Sequence, residues 1–325
     1  MHPLLFDLHY YEHAQESVFK HYEIVLIPEQ ADVFIFPVNY LTINEKRYES
    51  HFNSLYQLAK SQNKKLLVYT GGDYGKTFND PNIITWRNAG FKRSNDENTL
   101  ILPAFMSDPL EKGFIDFKLL EYKIVPHVSF TGFATASFKE QVRINLSTLK
   151  TNLKRLIKQE DSDYQKVYNA AGKRFSYLQK LERSTGIKTD FIYRDKYRAG
   201  SITVEQREKS TREFFENLNS SPYTFCLRGA GNFSVRFFES LALGRIPILI
   251  DTDVQLPLEG IINWDKHICR VSTEENLTDA ITRFHTSHDR ESFIELQNSN
   301  RRLYERYLNR HAYLCEIHPI LKSIL

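Results

Sequence analysis

Between Ser221 and Asp253 the chain reads SPYTFCLRGAGNFSVRFFESLALGRIPILIDTD. An apolar run at Tyr223 to Leu227 enters a glycine-containing turn, continues as an amphipathic stretch from Ser234 to Leu243, and is followed by a second apolar run at Ile246 to Ile250. Two short β-rich runs joined by a helix-length crossover pair as parallel neighbours, so the segment predicts a β-α-β unit and a sheet covered on both faces. The turn is also a ready anion site. Gly229 and Gly231 permit close approach of the backbone, the first helical turn offers N–H groups at the positive end of the macrodipole, and Arg228 adds a fixed charge.

The same alternation extends along the chain. In the first third, strands are expected at Leu4 to Leu8, Val33 to Phe36, Leu66 to Tyr69 and Asn98 to Pro103. A helix over Glu45 to Ser61 places Tyr48, Phe52, Leu55, Tyr56 and Ala59 on one face. The pattern halts near Pro126 and restarts with Val128 to Phe130, followed by Thr131 and Gly132. Two helices with a break around Asp161 account for Lys139 to Leu181, where the many lysines read as a solvated face. Then come a strand at Thr189 to Tyr193, a helix from Val204 to Leu218, the segment above, a strand at His267 to Val271 and a helix from Glu274 to Phe284.

The remainder, Arg290 to Leu325, is largely helical, and Tyr304, Tyr307, Leu308, Ala312 and Leu314 give it an apolar stripe that could rest on lipid or pack back on the protein. A chain of 325 residues suits two domains. The expected division is 1–124, 125–310 and a tail helix at 311–325 returning toward the first domain.

Composition narrows the function. Forty-three Lys and Arg against 40 Asp and Glu leave a formal charge of +3, too slight for nucleic acid held through its phosphates. Cys226, Cys269 and Cys315 are odd in number and widely spaced, which suits a reducing compartment. The longest apolar runs fall far short of the roughly 20 residues that span a bilayer, and the N-terminus does not read as a secretion signal. A cytoplasmic protein, at most peripheral at the inner face of the membrane, is expected.

Several familiar sites are missing from the sequence. The loop fits neither GxGxxG nor a P-loop, and no HExxH, CxxC or GxSxG occurs, so no metal is expected. Asp251-Thr252-Asp253 has the form of a metal-binding DxD, but it ends a strand and reads as a turn. Within the helix, Arg236 and Glu239 lie three residues apart on one face, either as a surface ion pair or, at the end of a parallel sheet, as ligand contacts. In the second case Glu239 accepts ribose hydroxyls. Arg194 and Lys196, with Arg198, follow a strand and emerge at the same sheet edge as the loop.

The segment resembles the C-terminal domain of exostosin-type glycosyltransferases, glycosyltransferase family 47. The resemblance is carried by the FCLRGAG loop, Ser234 and Arg236 of FSVR, the run FESLALGRIPILI, Leu256-Pro257, and INW at Ile262 to Trp264. ADVFIFPVNY at Ala31 to Tyr40 and VSFTGFAT at Val128 to Thr135 extend it weakly to the rest of the chain. It implies an α/β fold of the GT-B type, with two Rossmann-like, doubly wound domains facing across a cleft, nucleotide-sugar in the second and acceptor mainly in the first. Arg228 and the loop amides, with Gly229, Gly231 and Asn232, would meet the diphosphate. Glu239 would hold ribose, and Ser234, Arg236 and Gly132 would line the same pocket. The chain departs from the family pattern at Arg245, where a cysteine commonly follows the glycine, and in lacking the anchor and stem of animal and plant members.

The function expected from this reading is inverting, metal-independent transfer of a sugar from a nucleotide diphosphate, a UDP-sugar, to a glycan or glycolipid acceptor in polysaccharide biosynthesis. No cofactor is required. Such a reaction needs a base near the acceptor hydroxyl. Asp73, in the TGGDYG turn, is the first candidate, followed by Asp7 and His9 beyond the expected first strand. Two rivals share the fold: a non-catalytic nucleotide- or glycan-binding partner of another transferase, which would lack the base, and a retaining transferase or epimerase, which product stereochemistry would reveal.

Overall fold

A computed structural model describes residues 1–10, 16–42, 46–194, 200 and 203–325. In the first lobe, the short helices α1 (Pro3–Leu5) and α2 (Glu16–Phe19) precede β1 (Phe34–Asn39), α3 (Lys46–Ser61), β2 (Leu66–Tyr69), β3 (Ile83–Arg87) and β4 (Thr99–Ile101). The four strands are parallel and lie in the order β1-β2-β3-β4. Every residue of β3 is buried, as expected of a strand covered on both faces. α3 contributes Phe52 and Ala59 to a core with Phe34, Phe36, Leu66 and Val68.

The expected strand at Leu4 to Leu8 is instead helical: α1 runs into a π-turn over Phe6–Tyr10. Pro3 at the first helical position has its φ preset, and His2 Nδ1 accepts from the Leu4 amide at 3.2 Å, so the start is capped as a helix. β3 is an additional strand that the sequence reading did not place.

The second lobe contains β5 (His127–Phe133), α4 (Phe138–Leu156), α5 (Ala170–Glu182), β6 (Lys188–Arg194), α6 (Val204–Ser220), β7 (Tyr223–Cys226), α7 (Val235–Ala242), β8 (Ile246–Asp251), β9 (Cys269–Ser272), α8 (Leu277–Thr286), α9 (Arg290–Leu303) and α10 (Arg310–Ile324). Its parallel sheet has the order β6-β5-β7-β8-β9, so the winding direction reverses between β5 and β7. Gly244, at φ +65°, ends α7 in the left-handed conformation, and the Arg245 amide donates back to the Ser240 carbonyl at 2.8 Å. The Arg245 side chain is fully buried and donates to the carbonyls of Leu243 and Lys118. Arg245 thus holds the connection between the lobes.

The lobes share one apolar core, in which Trp86 and Leu100 of the first pack with Phe237 and Trp264 of the second and with Tyr313 and Leu314 of α10. Tyr313 donates its hydroxyl to the Ile101 carbonyl at 2.9 Å, and Tyr22 donates to the Leu314 carbonyl at 2.8 Å. α10 therefore returns to the first lobe. Tyr304, Leu308 and Leu314 of the tail stripe are buried, so this stripe faces protein and not lipid.

Candidate functional site

In an open parallel sheet, the loops leaving two neighbouring strands diverge where the strand order reverses, and a crevice opens beyond the strand ends. Here that point lies between β5 and β7. A cavity of about 990 Å³ occupies it, with Thr131, Gly132 and Phe133 on one side and Leu227, Gly229 and Ala230 on the other. Asp73 and Tyr74 of the first lobe close the opposite wall, so the cavity lies between the lobes. Two helices begin at its edge: Ala170 and Ala171 of α5, and Ser234 and Val235 of α7, all line it. Ser234 is the N-cap of α7 yet makes no side-chain capping bond, so the first amides of that helix keep their hydrogen-bonding capacity toward the cavity.

The lining carries six basic residues, Arg143, Lys166, Arg174, Arg194, Arg207 and Arg236, against the acids Asp73 and Glu239; Arg143 and Arg194 pair with Glu140 and Glu213, and the remainder still leaves the lining with an excess of positive charge. Arg236 reaches from α7 across the end of β5, donates to the Thr131 carbonyl at 2.6 Å and lies 4.4 Å from the centre of the Phe130 ring. Gly132 makes this crossing possible, because a Cβ there would stand 2.7 Å from the Arg236 Nη2. Arg174 donates to the carbonyls of Phe133 at 2.5 Å and Arg228 at 3.1 Å. The Nε of each guanidinium is buried without a partner, and among the described residues neither arginine makes an ion pair. Burial, then repulsion from Arg236, pushes the Arg174 pKa down to about 10, which leaves it protonated at neutral pH.

Glu239 lies one turn after Arg236 on the same wall. Burial pushes its carboxyl up to about 7 against the opposing pull of Arg236. At neutral pH it can therefore either accept or donate a hydrogen bond, a useful property beside vicinal hydroxyls.

The sequence-derived residues fall into distinct places. Gly132, Gly229, Ser234, Arg236, Glu239 and Arg194 line the cavity. Gly229 has nothing within 4 Å of a built Cβ and so presents bare backbone to it. Arg194 also donates to the Ser210 carbonyl at 2.7 Å and pairs with Glu213 at 2.9 Å. Lys196, like Arg198, lies outside the described residues. Arg228 is not among the lining residues: it is buried between the rings of Tyr168 and Phe91 at 4.5 and 5.1 Å and donates to the Ala230 carbonyl at 2.6 Å, with its Nε unpartnered.

Gly231 and Asn232 are corrections of another kind, since both belong to the contact between lobes. A Cβ on Gly231 would stand 2.8 Å from the Asp73 Cα and nearer still to its carbonyl oxygen. The Asn232 amide donates to the carbonyls of Gly90, Thr252 and Asp253 at 3.0, 3.1 and 2.9 Å, while its oxygen accepts from Thr252 at 2.6 Å.

Of the base candidates, only Asp73 lines the cavity, and it is exposed there. Asp7 is buried against Arg310 of α10, and His9 lies on the same N-terminal π-turn; neither lines the cavity. The cause is the helical start of the chain, which removes both from any strand end. Asp251 accepts from the amides of Asp253 and Val254 at 2.9 and 3.1 Å, so the Asp-Thr-Asp run is a turn.

Sequence reasoning missed Arg174, Tyr168 and the strap between α4 and α5. The strap crosses to the first lobe, where the Asp163 amide donates to the Gly75 carbonyl at 2.9 Å and the Asp163 carboxylate accepts from Thr77 at 2.8 Å and Arg87 at 3.0 Å. Lys76 and Tyr40 bond Asp161 at 2.5 and 2.7 Å. The turn that carries Asp73 is thus held by the strap on one side and by Gly231 on the other. The available signal for Arg174 was a cation within the first turns of a helix that has no acid there, an arrangement the macrodipole disfavours.

The profile of the Exostosin GT47 domain matches residues 131–284, which include both guanidinium residues, the loop and α7. No curated protein matches the chain. Among solved structures, the chain is similar to TarM at 9% identity and TM-score 0.38, covering 80% of this chain and 50% of that one. It thus spans about half the length of TarM. It is also similar to an alpha1,3-fucosyltransferase at 12% identity and TM-score 0.35, covering 95% and 83%, and to WaaG, a glycosyltransferase involved in lipopolysaccharide biosynthesis, at 10% and 0.31, covering 90% and 74%.

Proposed function

We propose, from the match of the Exostosin GT47 domain to residues 131–284 and from the cavity beside it, that this protein moves a sugar from a nucleoside diphosphate, a UDP-sugar, to a glycan or glycolipid acceptor with inversion and without a metal. One observation carries the reading: Arg174 and Arg236 meet over Phe130 at the reversal of the sheet with an unused Nε each, and among the described residues neither forms an ion pair, Glu239 acting on Arg236 only through space. A buried cation without a counter-ion is costly, and a diphosphate is the ligand class that supplies the missing charge and acceptor oxygens. The two arginines and the first amides of α7 stabilise the departing diphosphate in place of a metal. Glu239 holds ribose, Ser234 and Arg194 border the pocket, and Arg228 braces the loop from below. Asp73, reaching in from the first lobe, takes the acceptor proton.

The test is a thermal-shift series with UDP, GDP, ADP and CDP, with and without EDTA. A ligand at 100 times its dissociation constant stabilises a fold by about 2.7 kcal/mol, well within detection. UDP is expected to raise the melting temperature most, equally with EDTA, and Arg236→Ala and Glu239→Ala to abolish the rise. If no nucleoside diphosphate moves the folded wild type, the reading fails. Proton NMR of the product then reports inversion or retention directly.

A further inference from the structure

Helix α4 is built inside out. A helix on the surface of a globular protein normally turns its apolar stripe inward. Along α4 and the residue after it, Phe138, Leu146, Leu149, Leu153, Leu156 and Ile157 are between 52% and 79% exposed, with Val142 beside them. Their spacing of three and four places them on one face. The opposite face is polar and meets the protein: Thr148 lines the cavity, Asn152 donates to the Gln165 carbonyl at 2.6 Å, and Arg155 lies over the Tyr74 ring at 4.6 Å. The stripe is therefore not a core face that lost its partner.

What covers it follows from its flanks. Lys139, Arg143, Lys150 and Lys154 are exposed along the same helix, whose single acid, Glu140, already pairs with Arg143 at 2.7 Å. A second copy of α4 would oppose these cations with cations and offer no acid to match them, which disfavours a helix pair. A surface that is apolar in depth and negative at its rim suits both features, since lysine stems lie along the apolar layer while their ammonium groups reach the anionic one. No described helix is long and apolar enough to cross a membrane, so the contact lies in the plane of the surface.

We infer that α4 docks this protein flat on an anionic lipid bilayer through Leu146, Leu149, Leu153 and Leu156, with Lys150 and Lys154 on the headgroups. The inner face of the same helix walls the cavity with Ile144 and Thr148. Docking thus brings the cleft to the bilayer surface, where an acceptor with a lipid tail resides. None of the leucines lines the cavity, so the inference stands apart from the donor reading.

The experiment is co-sedimentation of the full chain with vesicles of phosphatidylcholine alone or mixed with phosphatidylglycerol, alongside analytical ultracentrifugation without lipid. The wild type is expected to sediment with the anionic vesicles, and L146Q/L149Q/L153Q and K150E/K154E each to lose partitioning by more than about tenfold. Near-UV circular dichroism shows that both variants stay folded, and their UDP thermal shift, if the wild type has one, is expected to be unchanged. The inference is overturned if wild type ignores anionic vesicles, if the leucine variant binds them as wild type does, or if the stripe instead mediates a dimer that the leucine variant dissolves.

Discussion

Gly229 and Gly231 sit two residues apart in one loop, yet the structure assigns them opposite sensitivities, and a pair of alanine substitutions separates them. At Gly229 a new Cβ meets nothing within 4 Å, so the unliganded fold should tolerate it. A surface change of this kind lies within about 0.5 kcal/mol of neutral, and loss of unfolded-chain freedom favours the variant slightly. The methyl group does enter the space where the ligand backbone contact is proposed. At Gly231 the Cβ would lie 2.8 Å from the Asp73 Cα and 2.9 Å from its carbonyl carbon, both backbone atoms that no rotamer change can move aside. Ordinary contact begins near 3.4 Å, so the two loops must part by more than half an ångström. Overpacking of this sort costs about 1–3 kcal/mol. At roughly 2 °C per kcal/mol for a chain of this size, the melting temperature of Gly231→Ala should fall by about 2–6 °C. The assay is a melting curve with a UDP titration on each variant. Gly229→Ala should keep its melting temperature and lose UDP affinity; Gly231→Ala should melt early while keeping most of its UDP affinity. The reverse pattern would refute the assignment of Gly231 to the lobe contact and return it to the phosphate loop.

Three further outcomes concern residues that line the same cavity. Glu239 has its pKa raised to about 7, so the native chain holds a proton that the unfolded chain has released. That stability is fully present below about pH 4.5 and is lost as pH rises through 7, so the stability of wild type relative to Glu239→Gln, read from melting curves, should decline by about 1 kcal/mol between pH 5 and 8; a flat difference would dismiss the shift. Arg174→Met removes a buried unpaired cation together with two carbonyl contacts, so the fold should change little while UDP affinity, measured by calorimetry, drops by roughly 10- to 100-fold through loss of a charged hydrogen bond. Asp73→Asn should lower turnover of the nucleotide-sugar by about 10² to 10⁴ at unchanged UDP affinity, and full activity in this variant would remove Asp73 as the base.

The parts of the fold that were legible are those in which local pattern and burial agree. β2, β7 and β8 are apolar runs buried on both sides and punctuated by turns, and they stand where the sequence places them, to within a residue. The failures have identifiable causes. Leu4 to Leu8 has strand-like composition, but Pro3 and the His2 cap set a helical start, and burial at Leu4 and Asp7 follows the helical period. β3, IITWR, ends in a charged residue within a fully buried central strand. Arg87 is nevertheless buried there, its charge met by Asp163 and its other donors by Thr77 and the Tyr74 carbonyl. No local pattern announces a partner 76 residues away.

The candidate site divides along the same line. Residues whose placement depends on position along one strand and one helix, such as Ser234, Arg236 and Glu239, line the cavity because the β-α-β unit fixes where they emerge. Arg228 and Asn232 share that loop and were misread, since proximity in sequence says nothing about which side of the loop faces solvent and which faces the other lobe. Arg174 and Asp163 were invisible for a stronger reason: each matters only through carbonyls and side chains that the fold delivers from elsewhere. The strap joins these two cases. Its Asp163 end fixes the turn that carries Asp73, and its Tyr168 end packs on Arg228 beneath the glycine loop. One short connection therefore couples the spacing between the acid on the first lobe and the cations on the second, and a cut of the Asp163 contacts should loosen that spacing even with every residue on both walls intact.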